Sequence, residues 1–178
     1  MTPPGSIQDN TAVQYGGCIY SVESDVSLLA GTNIANCRCT KGRGGGGFVQ
    51  LGNITLQAAA VTNSHAFGEG GAMYIGNARA SIQDTTFTSN SASGGGALAA
   101  NLGDIMAHNT TFVDSSARSG GAVLATRGTF HVVRGTFTNN EGADGGGAAV
   151  FDEVTEVSIT RSRYGKQANT RSVCKLTC

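Results

Sequence analysis

Residues 87–100 read FTSNSASGGGALAA, and residues 137–150 read the closely similar FTNNEGADGGGAAV. Between them, residues 112–125 read FVDSSARSGGAVLA, so three copies begin at Phe87, Phe112 and Phe137, 25 residues apart. A fixed period of this length is the signature of a repeat architecture, in which each unit buries its apolar face only against its neighbours. The period therefore indicates the fold class before any single residue does.

The repeat can be followed in both directions from the Phe position. The Phe column is apolar or aromatic in every copy: Ile7, Ile34, Val61, Phe87, Phe112, Phe137 and Tyr164. Three residues later lies a column dominated by small polar residues: Asn10, Cys37, Ser64, Asn90, Ser115, Asn140 and Gln167. Five residues before the Phe column lies an aliphatic column: Leu29, Leu56, Ile82, Ala107, Val132 and Ile159.

A glycine pair followed by a small residue recurs in each copy. The triplets are Gly16-Gly17-Cys18, Gly45-Gly46-Gly47, Gly70-Gly71-Ala72, Gly95-Gly96-Ala97, Gly120-Gly121-Ala122 and Gly145-Gly146-Gly147. The residues directly after the triplets are predicted to enter the core: Ile19, Phe48, Met73, Leu98, Val123 and Ala148. The next residues are also apolar, although strand alternation turns them outward: Tyr20, Val49, Tyr74, Ala99, Leu124 and Ala149. Either a bulge turns these side chains inward, or this side of the molecule is covered.

Short β-branched runs interrupted by glycine predict strands and turns rather than helices. A unit of about 25 residues holds three short strands with their corners, which is one turn of a parallel β-helix. Equivalent residues of successive coils then lie about 4.8 Å apart. The prediction is an all-β, single-stranded right-handed parallel β-helix of about six coils of about 25–29 residues. The repeats occupy residues 1–167, and residues 168–178 form a C-terminal tail or partial cap.

Each column has a predicted structural role in this stack. The rings of Phe87, Phe112 and Phe137 should stack inside the tube, where burial of one ring contributes roughly 1.5–3 kcal/mol. Asn90 and Asn140 should turn the chain in a left-handed conformation, with their amides bonded to local backbone and to asparagines above and below. The glycine pairs should permit positive φ at a second corner and a close approach between coils: Gly70, Gly71, Gly95, Gly96, Gly120 and Gly121.

The composition argues against several classes of partner. The chain of 178 residues carries 27 glycines, no tryptophan and only 13% charged residues. Lys+Arg and Asp+Glu balance at 12 each, so no long-range field favours nucleic acid or an anionic membrane. The N-terminal MTPPGSIQDN lacks the apolar region of an export signal, and no stretch is apolar for long enough to span a bilayer. Neither nucleic-acid binding nor membrane insertion of this segment is expected.

The repeat begins with half a coil at residues 7–10, without an amphipathic segment before it. Solenoid ends need caps, because open strand edges invite pairing with other chains. The sequence therefore predicts a segment of a longer protein with flanking domains, or a rod whose N-terminal cap is missing. The C-terminal KQANTRSVCKLTC departs from the repeat and is the candidate partial cap.

The five cysteines are an odd number: Cys18, Cys37, Cys39, Cys174 and Cys178. Cys37 with Cys39, and Cys174 with Cys178, form two clusters, yet a structural zinc site normally has tighter pairs or histidines nearby. The remaining alternatives are one or two disulfides near the ends in an oxidising compartment, or reduced thiols in a reducing one. The sequence predicts no metal and no cofactor.

Phe-x-x-Asn followed shortly by Gly-Gly-Ala and an aliphatic residue resembles the repeat pair of the chlamydial polymorphic outer membrane proteins. The pair is intact at residues 87–90 with 95–98, whereas residues 137–140 precede an altered second half at 145–148. Residues 70–73 and 120–123 match the second half, and residues 112–115 are degenerate. The resemblance runs from Ile7 to about Gln167. It implies a right-handed β-helical passenger that is displayed at a bacterial surface and acts in adhesion.

Pectate lyases and polygalacturonases share the β-helix fold and use clustered carboxylates on one outer face. Glycoside chemistry needs two carboxyl groups at a fixed separation. Here the column of Asp84 continues as Asn109, Arg134 and Arg161. Four other aspartates fall in four further columns: Asp104, Asp114, Asp144 and Asp152. Asp152, Glu153 and Glu156 form a local cluster typical of a solvated face. A polysaccharide-active lyase or hydrolase of pectate-lyase-like fold is therefore the alternative to a non-catalytic rod.

Threonines flank the Phe column on the outer face. The flanking residues are Thr86, Thr88, Thr111, Val113, Thr136 and Thr138, with Thr62 on an earlier coil. A flat threonine array suits an ice-binding face, although threonine is also simply a favoured strand residue. Val113 interrupts the array, and Ala60 and Arg163 end it. An ice-binding protein is the second alternative.

Two further features predict structure rather than chemistry. KGRGGGG at residues 41–47 resembles a single RGG element or, weakly, a phosphate-binding loop, but no Gly-Lys-Ser/Thr sequence that enters a helix follows it, so a corner loop is expected. The three histidines, His65, His108 and His131, fall in different columns and predict no metal cluster.

The sequence thus predicts a non-catalytic rod that is extracellular or at a cell surface and serves adhesion, display or structural spacing. Its columns are rich in structural residues and poor in aligned reactive ones. The expected partner is an unidentified surface receptor or glycan. Binding is expected on the outer strand faces or at the longer loop from Cys37 to Gly44, where the coil carries extra residues.

Overall fold

The computed structural model describes residues 5–164 and 174–177, which form strands, turns and loops without any helix. Within these ranges no helix has the length and apolarity needed to cross a membrane. Apolar and polar residues alternate in short runs that end at glycines or positive-φ residues, which is why most strands are short. In chain order the strands are β1 (Ser6–Gln8), β2 (Thr11–Ala12), β3 (Ile19–Val22), β4 (Val26–Leu28), β5 (Asn33–Ala35), β6 (Arg38–Cys39), β7 (Gly47–Gln50), β8 (Asn53–Gln57), β9 (Ala60–Thr62), β10 (His65–Ala66), β11 (Met73–Gly76), β12 (Arg79–Gln83), β13 (Thr86–Thr88), β14 (Leu98–His108), β15 (Thr111–Val113), β16 (Ser116–Ser119), β17 (Val123–Val133), β18 (Thr136–Thr138), β19 (Glu141–Gly145), β20 (Ala149–Asp152), β21 (Glu156–Thr160), β22 (Arg163–Tyr164) and β23 (Cys174–Thr177).

The strands stack in parallel because each one pairs with the equivalent strand of the next coil. One side of the molecule is a seven-stranded sheet with the order β1-β5-β9-β13-β15-β18-β22. A second side is an eleven-stranded sheet with the path β23-β20-β17-β14-β11-β7-β3, completed by β4, β8, β12 and β21. Short pairings, β10-β6-β2 and β16-β19, form the third side. The predicted all-β parallel solenoid of about six coils is confirmed.

The predicted Phe column stacks in register inside the tube. Residues 7, 34, 61, 87, 112, 137 and 164 pair in succession along the seven-stranded sheet. The ring centroids of Phe87 and Phe112 lie 5.1 Å apart and those of Phe112 and Phe137 4.8 Å apart, with nearly parallel planes. All three side chains are fully buried. This ladder is the centre of the core on that side of the rod.

The aliphatic column faces it from the eleven-stranded sheet, with one correction in the first coil. Leu28, not the predicted Leu29, pairs with Leu56 and is buried, whereas Leu29 is exposed. The corner between Leu28 and Ile34 is one residue longer than the equivalent corners, and Gly31 there has a φ of 84°. The aliphatic residue of this coil therefore lies six residues before Ile34, at Leu28, instead of five.

The two glycines of each pair have different roles at the corner. The first glycines have positive φ, a conformation that other residues adopt at a steric cost: Gly70, Gly95 and Gly120. The second glycines lie against the next coil, where an added Cβ atom would be 2.1–2.3 Å from a backbone oxygen: Gly71, Gly96 and Gly121. The structure thus places the predicted glycines at a turn and at the closest approach between coils.

In the second coil the glycine column lies one residue earlier than predicted. Gly44 has positive φ, and Gly47 is the first strand residue, paired with Met73. A Cβ atom at position 47 would lie 2.7 Å from Cε of Met73, so glycine there makes room for that side chain. Phe48 consequently lies on the outer face of the strand and Val49 in the core, the reverse of the prediction.

The sixth coil shows the opposite offset. Gly146, not Gly145, has positive φ, and Ala149 rather than Ala148 pairs with Val123. Val150 therefore occupies the outward position that was predicted for Ala149. Both offsets arise because corner length differs between coils while the stacking register does not.

The buried asparagines tie adjacent coils together from inside the rod. Oδ1 of Asn90 accepts a hydrogen bond from the backbone N–H of Ser64 at 2.9 Å, and Nδ2 donates to the carbonyl of Val61 at 2.9 Å. Asn140 makes the same two bonds to the coil before it, with Ser115 and Phe112 at 3.0 Å each. These bonds join each coil to the previous one. They also satisfy two buried amides that would lower the stability of the fold if they had no partners.

The predicted conformation of these asparagines was wrong. Serine alternates with asparagine along this part of the column, so Asn90 lies between Ser64 and Ser115 rather than between asparagines. The left-handed conformation belongs to the preceding residue, Ser89 before Asn90 and Asn139 before Asn140. Both amides bond to backbone of the preceding coil.

A disulfide joins Cys18 to Cys37 and fastens the first coil to the second. Cys18 is the third residue of the first glycine triplet, and Cys37 belongs to the small polar column. Cys39 is a free, buried thiol. The second predicted cluster, Cys174 and Cys178, lies outside the residues whose side chains are described.

Breaking this disulfide is expected to lower the free energy of unfolding by about 3 kcal/mol, because the bridge restricts the unfolded chain over a sequence separation of 19 residues. Urea unfolding of the wild type and of the Cys18→Ser/Cys37→Ser double variant measures the difference. Wild-type protein in a thiol reductant should match the variant. A variant as stable as the oxidised wild type would contradict the expectation.

Part of the predicted C-terminal tail continues the stack. In β23, Cys174 pairs with Ala149 of β20, 25 residues earlier, so this strand adds a further rung to the eleven-stranded sheet. The predicted column member Gln167 lies outside the described residues.

Candidate functional site

The structure places the predicted acidic residues in different columns. Asp84 lies at a corner with positive φ, and its Oδ1 accepts a hydrogen bond from Nδ2 of Asn109. Asp104 lies on β14, and Asp152 on β20 pairs with Thr126. Asp114 lies at another positive-φ corner. The prediction that these aspartates do not align across coils is confirmed.

Opposite charges face each other between coils instead. The ion pairs of the described residues include Arg43–Glu69 at 3.0 Å, Arg79–Asp104 at 3.8 Å, Arg118–Asp144 at 3.1 Å and Arg127–Glu153 at 3.0 Å. All except Arg43–Glu69 are more than half exposed on both partners, and such surface pairs contribute less than about 1 kcal/mol each. Each pair links two adjacent coils at a different place on the outer surface.

A bend in the eleven-stranded sheet creates a ridge along the rod. Each coil bends at a residue with positive φ: Glu23, Leu51, Asn77, Leu102, Arg127 and Glu153. Leucine rarely adopts this conformation, because its Cβ crowds the backbone. Leu51 and Leu102 nevertheless do so while 45% and 51% exposed. Backbone strain at exposed apolar residues is a reason to examine the ridge for function.

A groove lies beside this ridge and crosses the first four coils. We call it the elbow groove, and its volume is about 410 Å³. Its lining residues are Asp25, Leu51, Gly52, Asn53, Asn77, Ala78, Arg79, Leu102 and Asp104. Leu51, Asn77 and Leu102 line it from the ridge, Gly52 and Ala78 are the small lining residues, and the polar or charged residues follow these in the sequence: Asp25, Asn53, Arg79 and Asp104. A methyl group at Gly52 would lie 2.2 Å from the carbonyl oxygen of Ser24, so a side chain cannot fill the floor there unless the backbone moves.

The polar wall of the elbow groove is a column with one hydrogen-bonding residue per coil, Asp25, Asn53, Arg79 and Asp104, and the same column continues beyond the groove at Thr129. Oδ1 of Asp25 accepts bonds from the backbone N–H and from Nδ2 of Asn53, at 2.8 and 3.0 Å. Oδ1 of Asp104 accepts a bond from the hydroxyl of Thr129 at 2.9 Å. Acceptors and donors therefore follow one another along the axis at the coil spacing of about 4.8 Å.

A second hollow, of about 490 Å³, lies on the other side of this polar column. It is a shallow trough on the flat outer face, reached by Thr55, Ser81, Met106 and His131. Met106 is 64% exposed, and Nε2 of His131 lies 3.9 Å from Oε2 of Glu156. The two hollows share Asn53, Arg79 and Asp104, which gives this column concave surface on both sides.

Three outward aromatic residues that follow the glycines form a ladder that is covered at two of its rings. Tyr20, Phe48 and Tyr74 stack with centroid distances of 5.6 and 5.1 Å, and Phe48 and Tyr74 are buried. The guanidinium of Arg43 lies 4.9 Å from the centre of the Tyr74 ring and donates to its hydroxyl at 3.1 Å. Burial raises the pKa of the Tyr74 phenol, and the charge of Arg43 opposes this shift. Of the two arrangements left open by the sequence, the covered face is observed at Tyr74 and Ala99, whereas Tyr20 is 59% exposed.

Residues 41–46 of the KGRGGGG stretch form the corner between β6 and β7, and Gly47 begins β7, so the predicted corner loop is confirmed. Arg43 in this loop also pairs with Glu69 of the next coil. The loop is therefore part of the cover over the aromatic ladder.

The histidines lie apart, as predicted. Nδ1 of His65 is 2.9 Å from the hydroxyl of Ser91, and burial, followed by the charge of Arg38, lowers the pKa of His65. His108 lies on β14 and His131 on β17, in neighbouring but separate columns. Across residues 5–164 and 174–177, no group of three or more His, Cys, Asp or Glu is placed to hold a metal ion.

The threonines of the seven-stranded sheet form two columns in register. One column is Thr86, Thr111 and Thr136, and the other is Thr62, Thr88, Val113 and Thr138. All of these residues are half-buried. Ala60 and Arg163 end the first column, in agreement with the sequence.

The elbow groove is the surface that sequence reasoning missed. Its ridge residues are of four types, Glu, Leu, Asn and Arg, in no regular order, so the bend has no motif. The available signal was the run of small residues directly after the ridge positions: Ser24, Gly52, Ala78, Gly103 and Gly128. No protein family, curated protein or solved structure matches this chain.

Proposed function

We propose that this chain is a non-catalytic rod, at a cell surface or secreted, that serves adhesion, display or spacing. The observation that carries the proposal is the polar column of the elbow groove, which sets one hydrogen-bonding residue per coil beside a continuous concave surface. Such a surface suits an elongated partner, held by several weak contacts along the rod. The strand spacing gives a rod of roughly 30 Å, which would hold whatever is attached to its two ends that far apart.

The contacts of the carboxylates support binding rather than glycoside chemistry. A glycosidase places two carboxyl groups on either side of the bond that it cleaves. Here Asp104 faces Arg79 in one coil and the hydroxyl of Thr129 in the next, and Asp25 is bonded by Asn53. The groove wall is therefore a series of matched donors and acceptors.

We expect the purified chain to release no product from acidic or neutral polysaccharides, with or without calcium. The measurement is the appearance of reducing ends and unsaturated sugars against a heat-denatured blank. Fluorescently labelled chain, added to intact cells and to immobilised glycans, tests binding in parallel. Robust turnover that Asp84→Ala or Asp152→Ala abolishes would instead establish the polysaccharide-active enzyme.

Ice binding is a second candidate function, favoured by the two in-register threonine columns on the seven-stranded sheet. If that face binds ice, the chain should show thermal hysteresis that Thr111→Lys removes, because a lysine interrupts the flat array. Thr55→Lys, on the other sheet, is the matched control and should leave hysteresis unchanged. Wild-type protein without hysteresis would dismiss this candidate.

A further inference from the structure

We infer that the elbow groove binds a neutral, linear polysaccharide whose chain lies along the rod axis. The inference rests on the proposed binding function and adds to it a site and a class of ligand. Three properties of the groove carry it: its period, the chemistry of its two walls and its charge.

The period of the groove fits a sugar chain better than a peptide. The polar wall repeats about every 4.8 Å, once per coil. An extended peptide rises about 3.3 Å per residue and presents the same side every second residue, at about 6.6 Å, so its groups would lose register with the wall. An extended pyranose chain advances by close to one coil spacing per ring. Successive sugars would therefore meet equivalent positions of successive coils.

The two walls match the two kinds of surface on a pyranose ring. Sugar hydroxyls both donate and accept hydrogen bonds, and the polar wall offers acceptors at Asp25 and Asp104, donors at Arg79, and both at Asn53. Arg79 has 82% of its side chain exposed and Asp104 has 52%, so both can reach a ligand. Along the ridge, the exposed Leu51 and Leu102, with Asn77 of the coil between them, offer apolar contact to the C–H face of a ring.

The charge of the groove favours a neutral chain. Its charged lining residues are Asp25, Arg79 and Asp104, two acids and one base. A polyuronate would place carboxylates near two aspartates, and juxtaposed like charges oppose binding. Neutral gluco- or manno-configured chains do not meet this repulsion.

Calorimetric titration with gluco- and manno-oligosaccharides of two to six units tests the inference, with oligogalacturonates of the same lengths in parallel. Affinity should rise from two to four units and then level off, because the groove crosses four coils. Arg79→Ala and Asp104→Ala should each weaken tetrasaccharide binding about tenfold or more, through loss of a charge-assisted hydrogen bond. Oligogalacturonates should bind more weakly than the neutral chains.

Arg118→Ala and Asp144→Ala are matched controls, because this ion pair is similarly exposed, at 77% and 62%, and lies away from the groove. They should bind the tetrasaccharide as the wild type does. Affinity that does not depend on length, wild-type binding by Arg79→Ala and Asp104→Ala, or tighter binding of oligogalacturonates would overturn the inference. If no oligosaccharide binds while labelled chain still binds intact cells, the inference fails and the proposed function stands. Cleavage of the bound chain would overturn both.

Discussion

Replacement of Gly96 by alanine is expected to lower the free energy of unfolding by at least about 3 kcal/mol, among the largest effects of a single substitution. The new Cβ atom would lie 2.2 Å from the carbonyl oxygen of Gly121 and 2.6 Å from that of Ser116. Both atoms belong to the backbone of the next coil, so no side-chain rotation relieves the clash. The fourth coil would have to separate from the fifth, with loss of hydrogen bonds between them.

Gly103→Ala in the same coil is the matched control. Its Cβ atom would lie 3.4 Å or more from every neighbour, which is ordinary contact, and Gly103 has no positive φ. This variant should stay within about 1 kcal/mol of the wild type. Chemical denaturation monitored by circular dichroism compares the two variants. Equal stability of Gly96→Ala and Gly103→Ala would show that the close approach at Gly96 is not real.

Phe112→Ala is expected to cost about 3–5 kcal/mol, as large-to-small substitutions of buried aromatic residues do. Phe112 is the middle ring of the ladder, so its loss removes stacking on Phe87 at 5.1 Å and on Phe137 at 4.8 Å. The cavity would lie between the rings of Phe87 and Phe137, which would each lose a stacking partner. Thermal unfolding should show a midpoint lowered by several degrees.

Phe67→Ala gives the comparison that isolates burial, since Phe67 is 67% exposed at a corner. Its unfolding free energy should change by less than about 0.5 kcal/mol, as is usual for surface positions. Were both phenylalanine variants to lose the same stability, the stacked interior of the rod would be refuted.

The interior of the solenoid was predictable because its repeat is nearly constant in the middle coils. Phe87, Phe112 and Phe137 are spaced by the same interval, and each must meet its equivalent in the neighbouring coil to be buried. Gly96 and Gly121 recur with the same phase because no side chain fits between the coils. Burial requires an apolar residue and close backbone approach requires glycine. Both requirements therefore produce a repeating pattern of residue types in the sequence.

Register was less predictable where the corners change length. Leu29 was counted into the core in place of Leu28, and Gly45 was taken for the corner glycine in place of Gly44. The corner before Ile34 has one extra residue, and the four consecutive glycines at 44–47 allow the glycine triplet to be placed one residue too late. Hydrogen bonding between coils keeps the strands aligned in both places. Sequence spacing alone does not show on which side of a corner an extra residue lies.

The elbow groove was not predictable, because it depends on backbone shape rather than on a motif. Six residues of four different types adopt positive φ at the bend, among them Leu51 and Leu102. Packing of the sheet against the core imposes that conformation, which leucine would not choose by itself. The pairing of Cys18 with Cys37 could likewise not be predicted from the sequence, because five cysteines allow several pairings. The stacking of the first two coils brings these two together.

Unequal corners also suggest how such a rod tolerates evolutionary change in length. Eight residues lead from Phe87 to Gly95 and ten from Ile34 to Gly44, whereas twelve lead from Gly95 to Ala107 and twelve from Gly44 to Leu56. In the first five coils the corner after the Phe column varies in length, while the stretch from the corner glycine to the aliphatic column keeps twelve residues; in the sixth coil that stretch has thirteen, from Gly146 to Ile159. Gain or loss of a whole coil by gene duplication or deletion would extend or shorten the groove without altering its cross-section. A lineage could in this way adjust the number of ligand units it holds while leaving recognition of each unit intact.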